Sequence, residues 1–216
     1  MKRRVFIVDA QPIVRHGLHQ LIDGETDLIT CGESNDGHKA IDTILAARPD
    51  IVLADVTFRK ADGLELIKHL RAFKPGLPVL VFAAPDDFLF AERALRAGAK
   101  GYLRKQADLT DVVQAIRCVL SGQIYLAAKV RAKLLDAGAD GDHAIASPVQ
   151  KLSDRELEVF RLLGRGHSTR RVATEMHLSI STVETYRANI KHKLELNGSG
   201  ELLKHAIQWA NLEESA

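Results

Sequence analysis

Five short apolar runs alternate with amphipathic segments along residues 1–121 of this 216-residue chain. The run from Arg4 to Val8 stops at Asp9, and the run from Ile51 to Ala54 stops at Asp55. Unbroken apolar runs of this length are typical of strands that are buried on both faces of a parallel sheet. Because they alternate with helical patterns, the sequence predicts an α/β domain built on a doubly wound sheet of five parallel strands.

The predicted strands coincide with the apolar runs, and the predicted helices lie between them. We expect strands at residues 4–8, 28–32, 51–54, 78–82 and 101–103. We expect helices at residues 12–22, 37–47, 63–72, 86–97 and 109–120. In such a sheet the functional crevice lies beyond the carboxyl ends of the strands. The residues that fall there are Asp9, Asp55, Ala83 and Lys105.

The pattern changes after this domain. A short helix is expected at residues 129–135, and residues 136–148 are small, polar and rich in glycine, which is typical of a flexible linker. From Leu152 onward the pattern is helical only, and Ser153 followed by Glu156 has the spacing of a capping box. We therefore expect an α/β domain at 1–127, a helix and linker at 128–150, and a small all-α domain of four helices at 151–216.

Residues 168–187 have the pattern of a helix-turn-helix, with the turn expected at 177–179 and the second helix expected to open at Ser181. Val183, Ile190 and Leu194 form the predicted buried stripe of that helix, which leaves its opposite polar face free. Residues 161–193 contain seven arginines and lysines but two glutamates, although the net charge of the whole chain is only +2. A helix-turn-helix with a cationic rim indicates a domain that places a helix in the major groove of DNA.

Other function classes lack the sequence signals that they require. The segment after the first run, DAQPIVRHG, is not a glycine-rich phosphate loop, and no nucleophile–base pair is evident, so we do not expect an enzyme. No apolar run has the length of a membrane span, and the N-terminus does not have the pattern of a signal peptide. Cys31 and Cys118 match no metal spacing and are expected to be buried thiols. We therefore expect a cytoplasmic protein.

Two carboxylates at neighbouring strand ends, facing a lysine, suit phosphoryl transfer, in which one carboxylate attacks phosphorus and a divalent cation offsets the charge repulsion. The segments that carry them, VFIVDAQPIVRHGL, DIVLADVTFRKADGLEL and AGAKGYLRK, resemble the receiver domain of response regulators, which has a flavodoxin-like fold. The resemblance implies that Asp55 is the phospho-acceptor and that Asp9 and Asp55 hold Mg²⁺. It also implies that Lys105 is the pocket lysine and Tyr102 the aromatic switch residue.

The pocket departs from the receiver pattern at three places. Ala10 stands where receivers carry a second acid, Ala83 where they carry Thr or Ser, and residues 58–60 replace the usual Met-Pro-Gly. The missing carboxylate weakens Mg²⁺ binding, and the missing hydroxyl removes a hydrogen bond worth about 1–3 kcal/mol. We therefore expect an atypical or weakly phosphorylated receiver, governed by a partner, a ligand or its expression level. Normal phosphorylation of Asp55 stays open as the alternative.

The helical segment is similar to the LuxR-type DNA-binding domain of the NarL/FixJ response regulators, and the similarity is carried by LSDRELEVFRLLGRGHSTRRVATEMHLSISTVETYRANIKHKLEL. The resemblance implies a transcriptional regulator that binds double-stranded promoter DNA as a homodimer, on half-sites about 10 bp apart or a multiple of that spacing. Its partner would be a sensor histidine kinase or another regulatory protein. The alternative is an interaction adaptor that keeps the fold without binding DNA.

The residues expected to contact DNA lie on the second helix of the helix-turn-helix and beside it. By the resemblance, Ser181 and Thr182 open this helix and can bind phosphate. Thr185 and Ala188 suit contacts with thymine methyl groups, and Glu184 suits the amino group N4 of cytosine. The cations expected to contact phosphate are Arg170, Arg187, Lys191 and Lys193.

Overall fold

The computed structural model describes residues 2–55, 63–83, 88–128, 130–132 and 148–214. They form two compact units that divide the chain between residues 136 and 137. Residues 58–60 and the linker at 136–147 lie outside the described residues. So does most of the helix predicted at 129–135, of which residues 130–132 are described and are helical.

The first unit is a parallel sheet with helices between successive strands. Its strands are β1 Arg3–Val8, β2 Leu28–Ser34, β3 Ile51–Ala54, β4 Val79–Ala83, β5 Gly101–Arg104 and β6 Tyr125–Leu126. Its helices are α1 Pro12–Asp23, α2 Gly37–Ala47, α3 Gly63–Phe73, α4 Phe88–Ala97 and α5 Leu109–Leu120. The strand order is β2-β1-β3-β4-β5-β6, and every pair is parallel. The predicted doubly wound α/β fold is confirmed.

The sheet has six strands, so the prediction of five was wrong by one. The sixth, β6, pairs with β5 through only two residues, with Gly101 opposite Tyr125. A two-residue strand is too short to show a periodicity, which is why the sequence pattern missed it. The pairing needs a glycine, because a Cβ at Gly101 would lie 2.9 Å from the carbonyl oxygen of Tyr125.

The core of this unit lies on both sides of the central strands. Residues of β1 and β3, among them Val5, Ile7 and Leu53, are almost completely buried. One side of the sheet is covered by α1 and α5, which contact each other, while α2, α3 and α4 contact one another in sequence. The strand order reverses between β1 and β3, and the carboxyl ends of these two strands flank the crevice that such sheets use for function.

The predicted burial of both cysteines was wrong, because each is only half-buried. Cys31 lies on β2, which is an edge strand and has a neighbour on one side only. Cys118 lies on α5, with its Sγ 3.8 Å from Oε1 of Gln123. Among the described residues, no helix is both long and apolar enough to cross a membrane.

The second unit is all-α, as predicted. A 3₁₀ turn at Pro148–Lys151 precedes the four helices α6 Asp154–Gly164, α7 Thr169–Met176, α8 Ile180–Lys193 and α9 Ser199–Glu214. The core is formed by apolar side chains of all four helices, including Leu157, Phe160, Val172, Val183 and Leu202. Gly164 lets α9 approach α6 closely, because a Cβ at this position would collide with the carbonyl oxygen of Ala206.

Three serines start the first three helices of this unit. The side chain of Ser153 accepts a hydrogen bond from the Glu156 amide and the Glu156 carboxylate accepts one from the Ser153 amide, which confirms the capping box. Ser168 caps α7 in the same unit, and Ser179 caps α8. The second helix of the helix-turn-helix therefore opens at Ile180, one residue before the predicted Ser181. The residue that caps this helix is Ser179, which the sequence pattern assigns to the turn.

Candidate functional sites: an acidic pocket and a recognition helix

The sheet brings the predicted pocket residues together at the carboxyl ends of its central strands. Asp9 directly follows β1, Asp55 follows β3 and Lys105 follows β5. Backbone hydrogen bonds fix these positions, because the Asp55 amide donates to Val8 at 2.8 Å and the Lys105 amide donates to Ala83 at 2.8 Å. The pocket thus follows from strand order and register rather than from proximity in the sequence.

One ammonium group bridges both carboxylates of the pocket. Nζ of Lys105 lies 2.6 Å from Oδ2 of Asp9 and 2.7 Å from Oδ2 of Asp55. The side chains of the two aspartates are 2% and 3% exposed, and that of Lys105 is 11% exposed. Two carboxylates therefore share one cation in a site that is almost closed to water.

The pKa of Asp9 is raised above its ordinary value of 3.8, chiefly because burial disfavours the charged carboxylate. Lys105 and the Gln11 amide, which donates to Oδ1 at 2.7 Å, act in the opposite direction. The negative charge of Asp55 adds to the effect of burial. The cation that Asp9 shares with Asp55 does not fully offset its desolvation.

Two of the positions that depart from the receiver pattern, Ala10 and Ala83, supply no polar side chain to the pocket. Ala83 ends β4 and is fully buried, and Ala10 is half-buried next to Asp9. Their methyl groups can neither ligate a cation nor donate a hydrogen bond. Tyr102 lies on β5 opposite Val81 of β4 and is 4% exposed, so its ring is packed into the unit.

The donor set of the pocket fits Mg²⁺ poorly. Hard divalent cations need several anionic or carbonyl oxygens, and Oδ2 of Asp9 and Oδ2 of Asp55 are both already in contact with an ammonium group. Within the described part of the chain, no three His, Cys, Asp or Glu side chains form a group that could hold a metal ion.

The second site is the exposed face of α8. Val183 and Ile190 are fully buried on one side of this helix. The residues on the other side are accessible to solvent, and they are Ser181, Glu184, Thr185, Ala188, Asn189 and His192, with Lys191 partly exposed. Asn189 was not among the residues predicted from the sequence. It follows Thr185 by four residues, the spacing at which helix neighbours share a face, and this spacing could have identified it.

The start of α8 uses some of its own polar groups. The Thr182 amide donates to Oγ of Ser179 at 3.0 Å, and the Thr185 hydroxyl donates to the carbonyl of Ser181 at 3.1 Å. The Thr182 amide is therefore not free for a phosphate, whereas the hydroxyl of Ser181 is on the exposed side of the helix.

The four predicted phosphate-binding cations fall into two classes. Arg170 is exposed, and Lys191 is partly exposed on α8. Arg187 is instead turned toward the protein, since its Nη1 donates to Oγ1 of Thr169 at 2.6 Å and to Oε1 of Glu184 at 2.8 Å. Lys193 donates to Oε2 of the buried Glu156 at 2.6 Å.

Two family models match the chain, one in each unit. Residues 5–117 match the response regulator receiver domain, and residues 150–206 match the bacterial regulatory proteins of the luxR family. The chain is a response regulator. It is a transcriptional regulator that joins a receiver domain to a LuxR-type DNA-binding output domain.

Curated relatives of this response regulator match it over nearly their whole length. It is 31% identical over 206 residues to the response regulator GacA of Pseudomonas aeruginosa, with 95% of each chain covered. It is 31% identical over 204 residues to the transcriptional activator protein ExaE of Pseudomonas putida, covering 94% of this chain and 95% of that protein.

Solved structures of the same family share the fold. A LuxR-family two-component response regulator from Aurantimonas is 29% identical, with a TM-score of 0.61 over 64% of this chain and 99% of its own. RcsB of Salmonella enterica serovar Typhimurium, bound to the promoter rprA, is 22% identical, with a TM-score of 0.62 over 95% of this chain and 98% of its own.

Proposed function

We propose that this response regulator inserts the exposed face of α8 into the major groove of its promoter DNA. The observation that carries the proposal is the division of α8 into two faces, one buried against the unit and one polar and accessible. Thr185 and Ala188 contact thymine methyl groups, and Glu184 accepts a hydrogen bond from cytosine N4. Asn189 lies on the same surface, and its amide suits adenine.

The cations contribute unequally to phosphate binding in this proposal. Arg170 and Lys191 contact phosphate directly, because neither is held by a carboxylate of the described residues. Arg187 and Lys193 reach phosphate only by leaving Glu184 and Glu156. Ser181 supplies an exposed hydroxyl group, and Thr182 supplies a hydroxyl group that it shares with Ser179, whose Oγ also accepts from the Thr182 amide.

We infer a homodimer on two half-sites about 10 bp apart or a multiple of this spacing, since one face of a duplex repeats once per helical turn. A solved structure with the same fold, 23% identical and with a TM-score of 0.59, contains two RcsB dimers bound to two parallel DNAs. Leu203 and Ile207, one turn apart on α9, are 42% and 38% exposed and offer an apolar surface for a second copy.

Titration of fluorescent promoter fragments with the full chain tests the DNA-binding proposal. Reversing the charge of Lys191 and enlarging Thr185, as K191E/T185W, is expected to abolish specific binding while the unit stays folded. Wild-type binding should weaken with salt at a slope that corresponds to several phosphate contacts. Unchanged binding by the double variant contradicts the placement of α8. An absence of DNA binding by the wild type favours the adaptor alternative.

We also propose that the receiver is atypical and that Asp55 accepts a phosphoryl group poorly. The observation that carries this proposal is the Lys105 bridge, which occupies both carboxylates in a pocket whose third acid and hydroxyl are replaced by Ala10 and Ala83. Mg²⁺, which receiver domains generally bind, would be held weakly by Asp9 and Asp55. Control of the output then depends on inefficient phosphorylation by a sensor histidine kinase or on another regulatory protein.

Incubation with acetyl phosphate and Mg²⁺, followed by intact-mass measurement, tests this second proposal. The wild type is expected to gain little phosphate, whereas the variant A10D/A83T, which restores the acid and the hydroxyl, is expected to gain one phosphoryl group. D55N is the control that gains none. Stoichiometric phosphorylation of the wild type, absent in D55N, contradicts the proposal and supports a normally phosphorylated receiver.

The remaining assignments follow from these two. We propose a receiver at residues 1–127, a helix and linker at 128–150 and an output domain at 151–216, which is compatible with the division of the two units. We propose that the protein has no catalytic activity and works in the cytoplasm, where promoter DNA is accessible. Its relatives GacA and ExaE are a response regulator and a transcriptional activator.

A further inference from the structure

A polar cluster beside the exposed face of α8 centres on Arg187. One terminal nitrogen of its guanidinium, Nη1, has two hydrogens and uses them for two acceptors, Oγ1 of Thr169 at 2.6 Å and Oε1 of Glu184 at 2.8 Å. Thr169 is the first residue of α7, and Glu184 lies on α8. The arginine therefore connects the two helices of the helix-turn-helix and reaches the exposed face of the second.

Arg187 is poorly placed to contact phosphate. Its side chain is 19% exposed, and Nε is buried from solvent. Glu184, by contrast, is 52% exposed, so the carboxylate is the end of the pair that faces solvent. The geometry therefore presents an acceptor, not a cation, at this point of the surface.

We propose that Arg187 is a positioning residue that holds Glu184 toward a base edge, and that the pair selects cytosine, whose N4 amino group donates in the major groove. The inference rests on the proposed insertion of α8 into DNA. Arg187 takes Oε1 of Glu184, and among the described residues no hydrogen bond occupies Oε2. A carboxylate oxygen only accepts, so it pairs with the N4 amino group of cytosine and is repelled by the acceptors of guanine and thymine. Adenine suits it less, because its N6 amino group adjoins the acceptor N7.

The arginine also reduces the electrostatic cost of an acid at a DNA surface. A free carboxylate is repelled by the phosphates of the duplex, whereas a carboxylate paired with a guanidinium 2.8 Å away is nearly neutral as a unit. Fixing the carboxylate in one orientation further lowers the entropy that is lost when it binds a base. Both effects predict that Arg187 affects sequence preference more than overall affinity.

Selection from a randomised duplex library, read by sequencing, tests the proposal with the full chain. The wild type is expected to prefer a G·C pair at one position of each half-site. Glu184→Gln should reduce this preference about tenfold and move it toward adenine, which a glutamine amide recognises. Arg187→Met should reduce the same preference although Glu184 is intact, and Arg187→Lys should recover part of it. The control Glu158→Gln alters a glutamate of another i,i+3 pair, on α6 away from α8, and should leave all preferences unchanged.

The alternative role for Arg187, a phosphate contact, gives a different result. It predicts that Arg187→Met weakens binding to every sequence alike and lowers the salt slope by about 1, and that outcome overturns the proposal. Unchanged base preferences in Glu184→Gln overturn it as well. If Arg187→Met unfolds the unit, Thr169→Val removes only the other acceptor of Arg187 and should weaken the same preference to a smaller degree. A wild type that selects no sequence overturns the proposed function itself, together with this inference.

Discussion

In the receiver unit, Asp9 and Asp55 share the single ammonium group of Lys105, whereas in the helical unit the buried Glu156 has Lys193 and the Ser153 amide to itself. Both sites are closed to water, with Asp9 1% and Glu156 4% exposed. Burial raises the pKa of each carboxyl group. At Glu156 the hydrogen bonds from Lys193 and Ser153 outweigh burial, so the pKa is lowered. At Asp9 the hydrogen bonds from Lys105 and the Gln11 amide do not outweigh burial, so the pKa is raised.

Each of the two carboxylates accepts from one ammonium group and one backbone amide, so the contrast lies in whether the ammonium is shared with a second acid, whose charge adds to the effect of burial. The helical unit satisfies its acid and uses it as a helix cap, which is a structural role. The receiver unit keeps an excess carboxylate next to the proposed phospho-acceptor, which is a costly arrangement typical of a functional pocket.

Removing the shared cation is expected to have the largest effect. Lys105→Met leaves two adjacent carboxylates buried without a partner, and we expect the free energy of unfolding of the receiver to fall by about 3 kcal/mol at neutral pH. Urea titration, with unfolding monitored by hydrogen exchange of the strand amides, measures this free energy. The loss should shrink in acid, where the carboxylates are protonated, and D9N/K105M should recover part of it. An equal loss at both pH values contradicts the account.

Glu156→Gln is expected to destabilise the helical unit by about 1–2 kcal/mol at neutral pH, a value kept modest because Lys193 is 37% exposed and screened by solvent. The folded pKa of Glu156 is lowered, so its stabilisation is present above the ordinary value of 4.5 and is lost as the pH falls through the folded value. The fluorescence of the only tryptophan, Trp209, which packs on Phe160, reports unfolding of this unit. A stability difference between wild type and variant that persists below both the folded pKa and the ordinary value of 4.5 contradicts the assignment of this stabilisation to the Glu156 carboxylate.

The two units also differ in the side-chain hydrogen bonds at their helix starts. The serines at the starts of α6, α7 and α8 all accept hydrogen bonds from the first turn. Gln11 and Asp108, the residues at the described starts of α1 and α5, make no such hydrogen bond with their side chains. Helices that lie against a sheet are stabilised by packing, whereas α7, with only 8 residues, depends on local hydrogen bonds.

Substitutions at the N-cap residues test whether local hydrogen bonds stabilise the helical unit more than the receiver. Ser168→Ala and Ser179→Ala should each destabilise the helical unit by about 1 kcal/mol, while Asp108→Ala should have a much smaller effect on the receiver. Thermal denaturation followed by circular dichroism and Trp209 fluorescence measures these changes. A similar cost for Asp108→Ala would show that its carboxylate caps α5 in solution.

The same comparison explains which features were predictable from the sequence. The capping box of Ser153 and Glu156 and the turn at 177–179 are local signals, and the structure confirms the capping box. Thr169 as a partner of Arg187 and Glu156 as the partner of Lys193 were not predictable, because they lie 18 and 37 residues away along the chain. Both cations were expected at phosphates, since a basic side chain on an exposed helix has the same pattern whether or not another helix holds it.

The receiver pocket was predictable for a different reason. Lys105 lies 50 residues from Asp55, yet parallel strands place their carboxyl ends at one edge, so topology alone brought the two together. What topology could not give is the raised pKa of Asp9, which depends on its burial and on the cation that it shares with Asp55. β6 escaped prediction because only the register with β5 defines it.

Asp9→Asn gives the smallest of the expected effects and directly tests whether the cation shared with Asp55 leaves the Asp9 carboxylate incompletely compensated. Because the folded pKa of Asp9 is raised above 3.8, its contribution to stability is favourable below that value and is lost as the pH rises through the folded pKa. The asparagine removes a buried charge and still accepts from the Gln11 amide, while Lys105 keeps Asp55. We therefore expect the variant to be slightly more stable than the wild type at neutral pH and to lose this advantage in acid, as measured by urea titration. A clear loss of stability at neutral pH would mean that Lys105 needs both carboxylates, and the contrast with Glu156 would then have to be explained by geometry rather than by the sharing of one cation.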